Sequence, residues 1–155
     1  MTGWRLGWLV VPQEAVQVVE SLAQNLYICA STVAQHAALA CFESETLATY
    51  EQRRAEFKAR RDYFIPALRA LGFGVPVMPD GAFYAWADAS MFFERLGVRN
   101  SSEFVEVVMN KAHLVLTPSQ DFSDQDQGTH VRFSTASSMA DLKEAIERLQ
   151  SLLGH

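Results

Sequence analysis

Apolar positions recur at period two over the first dozen residues. Trp4, Leu6, Trp8 and Val10 share one face, while Leu9 and Val11 load the other. Apolar residues on both faces predict a strand covered on two sides, as in an α/β sheet. No second strand of similar quality occurs before residue 75. Its partner strands are therefore expected from a segment outside these 155 residues or from another molecule, and the sequence reads as a piece of a longer protein. After Pro12 the spacing becomes helical, with Ala15, Val16, Val19, Leu22, Ala23 and Leu26 on one stripe. A small-residue loop at Cys29 to Thr32 leads to a second helix. From Glu43 to Leu71 a longer pattern sets Tyr50, Phe57, Phe64 and Leu71 seven apart, with Leu47 and Leu68 beside them. That is a narrow apolar stripe on a long helix. Pro66 is expected to kink or break it near Phe64 to Ile65.

Beyond Gly72 the period changes again. Val75 to Met78 and Ala82 to Ala87, separated by Pro79-Asp80-Gly81, predict an antiparallel pair joined by a tight turn. Asn100 with Glu103 predicts a capping box for a helix to Ala112. Leu114 to Thr117 and Val131 to Ser134 read as strands, the latter with Val131 and Phe133 facing one way and Arg132 and Ser134 the other. Ser138 and Asp141 cap a last helix that carries Leu142, Ile146, Leu149, Leu152 and Leu153. The order β-β-α-β-β-α predicts a small two-layer α+β domain from about residue 72 onward.

Composition narrows the function. With 49% apolar and 20% charged residues the chain can bury a core, which sets aside disordered and fibrous classes. The net charge of −5 gives no sequence-independent attraction to nucleic acid or anionic lipid. The basic run on the long helix, Arg53, Arg54, Lys58, Arg60 and Arg61, is interleaved with Glu51, Glu56 and Asp62, so it reads as a solvated face. No apolar stretch is long enough to span a bilayer, and Leu6 to Val11 is too short for a signal-peptide core, which points to a cytoplasmic protein. Cys29 and Cys41 form no CxxC pair and are expected as free thiols in buried helix surroundings. His36, His113, His130 and His155 share no metal-ligand spacing. GxSxG, GxxxxGK and GxGxxG are all absent. Two arginines stand out instead. Arg5 and Arg132 each interrupt a strand pattern of buried type, where a guanidinium is costly unless it meets a fixed anion or its long side chain reaches solvent.

The words around these arginines are informative. Met1-Thr2-Gly3-Trp4-Arg5-Leu6-Gly7-Trp8 closely resembles the segment that follows the cofactor lysine in class I/II aminotransferases, a pyridoxal-phosphate family of fold type I. Ala34-Gln35-His36-Ala37-Ala38 resembles that family's helix near the subunit interface, Gly81-Ala82-Phe83-Tyr84 its GAFY strand, and His130-Val131-Arg132-Phe133-Ser134 its terminal HxRxS strand. The resemblance covers essentially the whole chain but only the C-terminal portion of the family. It implies an α/β fold divided into residues 1–42 as a remnant of the large cofactor domain, 43–71 as the connecting helix, and 72–155 as the small domain.

The resemblance also implies roles. Arg5 would bind the phosphate of pyridoxal 5'-phosphate, and Arg132 would make a forked pair with the substrate α-carboxylate. Phe83 and Tyr84 would line the substrate side. The parent would be a homodimer exchanging an amino group between an amino acid and a 2-oxo acid. Alternatives are a carbon–sulfur lyase or aminotransferase-like regulator domain of the same fold, and a non-catalytic binding or dimerisation module. The family's Schiff-base lysine falls before the position of Met1, and Lys58, Lys111 and Lys143 all lie on amphipathic helices. The 155 residues by themselves are therefore expected to be inactive. Ser119 and Ser123 stand where the family usually has glycines, so the loop before Arg132 is expected to differ.

Overall fold

The computed structural model describes residues 1–122 and 128–154. Ser123 and His155 lie outside the described residues. The chain divides into two compact units, Met1–Arg53 and Arg54–His155.

In the first unit the expected covered strand does not form. Thr2–Trp4 makes a single 3₁₀ turn, and residues 6–12 run without a strand ladder. A strand exists only where a neighbour takes its N–H and C=O groups, and none is present for this stretch among the described residues. Leu9 and Val10 are consequently 75% and 93% exposed. The helical pattern after Pro12 is realised. A 3₁₀ turn at Gln13–Ala15 runs into helix α1 (Val16–Leu26), followed by α2 (Thr32–Ala38). Among the described residues of this unit only Ala34 and Ala38 are buried. The cysteines differ from expectation: both are free, but Cys29 is exposed and Cys41 half-buried. The Tyr50 hydroxyl donates to the Cys41 sulfur, which favours the protonated phenol and raises its pKa.

Helix α3 (Ser44–Ala70) continues through Pro66 instead of breaking there. Its end is set by glycine. Gly72 has φ +99°, and a Cβ there would lie 2.7 Å from the Met91 sulfur, so the reversal and the close approach both require its missing side chain. The seven-residue stripe is buried only where the second unit has a core: Phe64 and Leu71 are buried, Phe57 half-buried. The basic face is less solvated than expected. Arg60 Nη1 donates to the Ala136 carbonyl at 3.0 Å, Arg61 Nη1 to that of Pro79 at 2.8 Å, and Arg69 Nε to that of Val75 at 2.7 Å.

The second unit holds a three-stranded antiparallel sheet in the order β1-β3-β2, with β1 at Tyr84–Asp88, β2 at Thr117–Pro118 and β3 at His130–Ser134. The expected hairpin with residues 75–78 is absent. Gly74 exchanges both backbone bonds with Asp88 at 2.9 Å, but the next bonded position would be Pro76, which has no N–H, and the ladder stops. β1 pairs with β3 instead, placing Ala85 opposite Phe133 and Trp86 opposite Arg132.

The inward face, Ala85, Ala87, Val131 and Phe133, packs in one core with Phe64, Ile65 and Leu68 of α3. The same core takes in residues of α5 (Ser101–Ala112) and α6 (Met139–Leu153), with the short α4 (Phe93–Leu96) at its edge. The small alanines leave room for rings: Phe73 lies 4.7 Å from Phe92, 5.2 Å from Phe133 and 6.2 Å from Phe104, centroid to centroid. The box at Ser138 and Asp141 forms with both of its bonds. At α5 only half of the expected box appears. Asn100 Oδ1 accepts from the Glu103 N–H at 3.0 Å, but the Glu103 carboxylate accepts from the Arg99 N–H at 2.9 Å and pairs with the Arg99 guanidinium. Among the described residues no helix is long and apolar enough to cross a membrane.

Hydrogen bonds from the Arg99 side chain and backbone hold the Glu103 carboxyl below the usual range. A carboxyl lowered on folding contributes stability that is complete above the unfolded glutamate value, about 4.3, and is lost as pH falls through the lower folded value. The denaturation midpoint of the wild type should therefore exceed that of Glu103→Gln at neutral pH. Urea titrations across acid pH should show the gap closing below about pH 4.

Candidate functional site

The outward face of the sheet carries the polar and aromatic partners of the core-facing residues. On β1 these are Tyr84, Trp86 and Asp88, and on β3 His130, Arg132 and Ser134. Register places Trp86 and Thr117 opposite Arg132 on its two sides. Strand twist shortens one diagonal, and the same diagonal is used twice. The Arg132 guanidinium carbon lies 4.2 Å from the Tyr84 ring centroid, and His130 stacks on Trp86 at 5.8 Å and 12°.

A second ring completes the arrangement. Phe122, just after β2, stands 4.5 Å from the guanidinium carbon and meets Trp86 edge-on at 5.5 Å. Arg132 Nη2 makes one long bond, 3.4 Å, to Thr117 Oγ1. Among the described residues no carboxylate pairs with Arg132. Its aromatic neighbours take up π-faces but none of its forked N–H geometry, so most of its donors remain available to a planar anion. A concavity of about 340 Å³ opens beside it, with Pro76, Val77 and Pro79 on one wall and Tyr84, Trp86, His130 and Arg132 on the other.

Phe83 lies just before β1 and faces elsewhere. Its ring packs 5.9 Å from Phe57, and its carbonyl accepts from the Thr135 N–H at 2.8 Å. Tyr84 lines the concavity with Arg132, and Phe83 does not. Sequence reading missed Phe122, Trp86 and Thr117. Trp86 was accessible from period two, since it stands two residues after Tyr84. Phe122 and Thr117 depend on how the loop after α5 returns to the sheet, which no local pattern encodes.

Arg5 belongs to the first unit. It is exposed at a turn with φ +56°, not embedded in a covered strand, so the desolvation argument made from the sequence does not hold for it. Its side chain joins Trp4, Trp8, Tyr27, Ser31 and Phe42 around a cavity of about 970 Å³. Among the described residues no carboxylate pairs with it, and Ser31 makes no side-chain capping bond to α2. A guanidinium and a hydroxyl on one concave wall suit a phosphate group in charge and donor type. The same wall contains a second strained residue. Ile28 has φ +71° within a turn closed by a 2.9 Å bond from the Cys29 N–H to the Tyr27 carbonyl. A β-branched residue in this region is a backbone outlier, and such strain gathers at functional sites. Among the described residues no group of His, Cys, Asp and Glu could hold a metal ion.

A small α+β unit, preceded in sequence by a long helix, thus presents an arginine-lined, anion-compatible cleft on its sheet. The sequence profile described as aminotransferase class I and II matches residues 1–149, and the chain belongs to this family. It is 34% identical over 153 residues to the valine–pyruvate aminotransferase of Mycobacterium tuberculosis, covering 99% of this chain and 38% of that protein. It is 31% identical to the aspartate aminotransferase of Geobacillus stearothermophilus, again over 99% of this chain and 38% of the relative. The crystal structure of an aminotransferase from Mycobacterium tuberculosis superposes with a TM-score of 0.86 at 34% identity, covering 99% of this chain and 38% of that one. The chain thus spans about 38% of the length of these relatives, and its fold is the C-terminal portion of fold type I.

Relief of the strained turn gives a direct test. Left-handed backbone costs an L-residue roughly 1–2 kcal/mol, and glycine returns part of that in unfolded-state entropy, roughly 0.5–1 kcal/mol. Since the Ile28 side chain is 78% exposed, little burial is lost. Ile28→Gly should therefore stabilise the first unit slightly, by about 0.5–1 kcal/mol, whereas Ile28→Val should not. Hydrogen exchange of the α1 and α2 amides would measure both.

Proposed function

We propose that this chain is the C-terminal part of an aminotransferase that exchanges an amino group between an amino acid and a 2-oxo acid. The observation that carries the reading is the Arg132 guanidinium, set over the rings of Tyr84 and Phe122 with its fork uncommitted to any carboxylate among the described residues. In this role Arg132 binds the substrate α-carboxylate bidentately and fixes which face of the substrate is presented. Tyr84 holds the guanidinium and lines the substrate side. Phe83 buttresses Tyr84 at 4.4 Å.

Arg5, with Ser31, is assigned to the phosphate of pyridoxal 5'-phosphate, where charge and hydrogen-bond donors fix the cofactor's position. When bound, that group supplies an electron sink for reactions at the amino acid Cα. Residues 1–42 are assigned to the large cofactor domain, 43–71 to the connecting helix and 72–155 to the small domain. The exposure of Trp8, Leu9, Val10, Leu22 and Leu26 supports the first assignment, because apolar surface of this density is ordinarily covered. The whole protein is taken to be a cytoplasmic homodimer with no nucleic-acid or membrane partner. A lyase, a regulator domain or a non-catalytic module is less well supported, since the relatives named above are aminotransferases.

Two outcomes follow. The described lysines, Lys58, Lys111 and Lys143, lie on α3, α5 and α6, and none of them lines either arginine concavity. Residues 1–155 by themselves should therefore yield no borohydride-fixed cofactor adduct at a single lysine and no turnover. Mass spectrometry after reduction would detect such an adduct and, with turnover, refute the expectation. In a full-length aminotransferase carrying this segment, Arg132→Lys should lower kcat/KM for amino acids by roughly one to three orders of magnitude, since charge-assisted hydrogen bonds are worth about 1.5–3 kcal/mol each. Cofactor affinity should barely change. Arg5→Ala should show the reverse balance, with weakened cofactor retention first. Half-transamination kinetics beside cofactor titrations separate the two, and full efficiency in Arg132→Lys would overturn the assignment.

A further inference from the structure

The segment that supplies two of the three groups touching the Arg132 guanidinium, Thr117 and Phe122, is anchored at one buried point. Ser119 is fully buried, as is Ser101 at the start of α5. Ser101 Oγ donates its single proton to Gln120 Oε1 at 2.8 Å and accepts from the Ser119 backbone N–H at 3.2 Å. With that proton committed, the 3.1 Å contact between the two hydroxyls must have Ser119 as its donor. Gln120 Oε1 also accepts from Ser102 Oγ at 2.7 Å. The Ser101 N–H donates to the Gly128 carbonyl at 2.6 Å, which ties the helix start to the chain entering β3. From Ser119 the path to the arginine is short. Its carbonyl accepts from the Phe122 N–H at 2.9 Å, and that residue's ring covers the guanidinium. Two residues back, Thr117 pairs with Arg132 in the sheet.

We propose that Ser119 is a positioning residue: through Ser101 and Gln120 it fixes the loop that closes the aromatic clamp on Arg132, and so sets the direction of the guanidinium fork. The inference rests on the reading of Arg132 as the carboxylate ligand for its functional meaning, though the geometry it concerns exists without a ligand. The physical logic is one of alternatives. A glycine at 119 offers neither the hydroxyl donor nor restricted backbone freedom, so Phe122 would be free to leave the guanidinium. The serine exchanges that freedom for one additional hydrogen bond, from its own hydroxyl to that of Ser101, between two buried side chains, where an unmade bond is costly and the arrangement is correspondingly well determined. The clamp is then preorganised, and a carboxylate meets an arginine that does not have to be oriented on binding.

The test uses the 155-residue chain itself, isotopically labelled, with the Arg132 side-chain resonances assigned by NMR. A guanidinium between two ring faces carries upfield ring-current shifts from both. Ser119→Ala and Ser119→Gly should move the Arg132 Nε–H and δ-proton resonances toward those of a solvent arginine by up to the contribution of the Phe122 ring, while the share from Tyr84 and the core resonances of Phe104 and Leu149 stay in place. Phe122→Leu removes one ring directly and marks how far the shift falls when that face is lost. If Ser119→Ala lowers the denaturation midpoint yet leaves the Arg132 shifts untouched, Ser119 is merely structural and the proposal fails. Should the Ser119 variants not fold, Gln120→Ala provides the second arm, because Gln120 is exposed and its side chain serves only the hydroxyl network and its surroundings. It should give a partial loss of the same shifts, and no change would overturn the proposal. Because these spectra are recorded without any carboxylate, their failure leaves the reading of Arg132 as a carboxylate ligand standing, and a failure of that reading leaves the shifts unaffected.

Discussion

A guanidinium on a sheet face must either reach water or find partners for a charge and a rigid fan of donors. Arg132 does neither completely. Two rings lie 4.2 and 4.5 Å from its carbon, centroid to atom, and a single 3.4 Å bond engages Nη2. Much of the second unit follows from holding that one cation in place. The inward alanines of β1 let aromatic rings pack tightly behind the sheet. The outward aromatics of β1 then reach β3 along one diagonal, and the loop after β2 returns a third ring from the far side. The cost of such a poised cation is offset elsewhere by the core of Phe73, Phe104, Ile65, Leu68 and Leu149, which fixes the strands from behind.

The first unit is organised on other terms. Among its described residues the buried ones are two alanines of α2, while Trp8, Leu9, Val10 and Leu26 lie open. Its distinctive features are local: a left-handed Arg5, a left-handed Ile28 and a cavity bounded by both. Strain of this kind persists only where surroundings over-determine the backbone. That fits a wall shaped for a ligand better than one shaped for folding stability.

Legibility in the sequence tracked the range of the interaction. Helices with caps and apolar stripes were readable because their determinants lie within a few residues: Ser138 with Asp141, Asn100 with the Glu103 N–H, and the seven-residue stripe ending at Leu71. Strands were readable only where partners existed. The opening strand pattern lacks a ladder, and residues 75–78 lose theirs to the missing N–H of Pro76. Arg132 was legible as an anomaly on a strand and through its resemblance to a family motif, but its companions Phe122, Trp86 and Thr117 come together through tertiary pairing. Ser119 was visible only as a departure, and its buried bond to Ser101 gives that departure a physical content.

The central claim is that the Arg132 clamp is a carboxylate site. The most direct measurement is a titration of the labelled chain with a small 2-oxo acid and, separately, with its neutral amide, followed at the Arg132 guanidinium resonances. Saturable shifts with the acid, absent with the amide and abolished in Arg132→Lys, are the predicted result. Equal response to acid and amide, or no saturable response at Arg132 while its ring-current shifts show the clamp intact, would contradict the account.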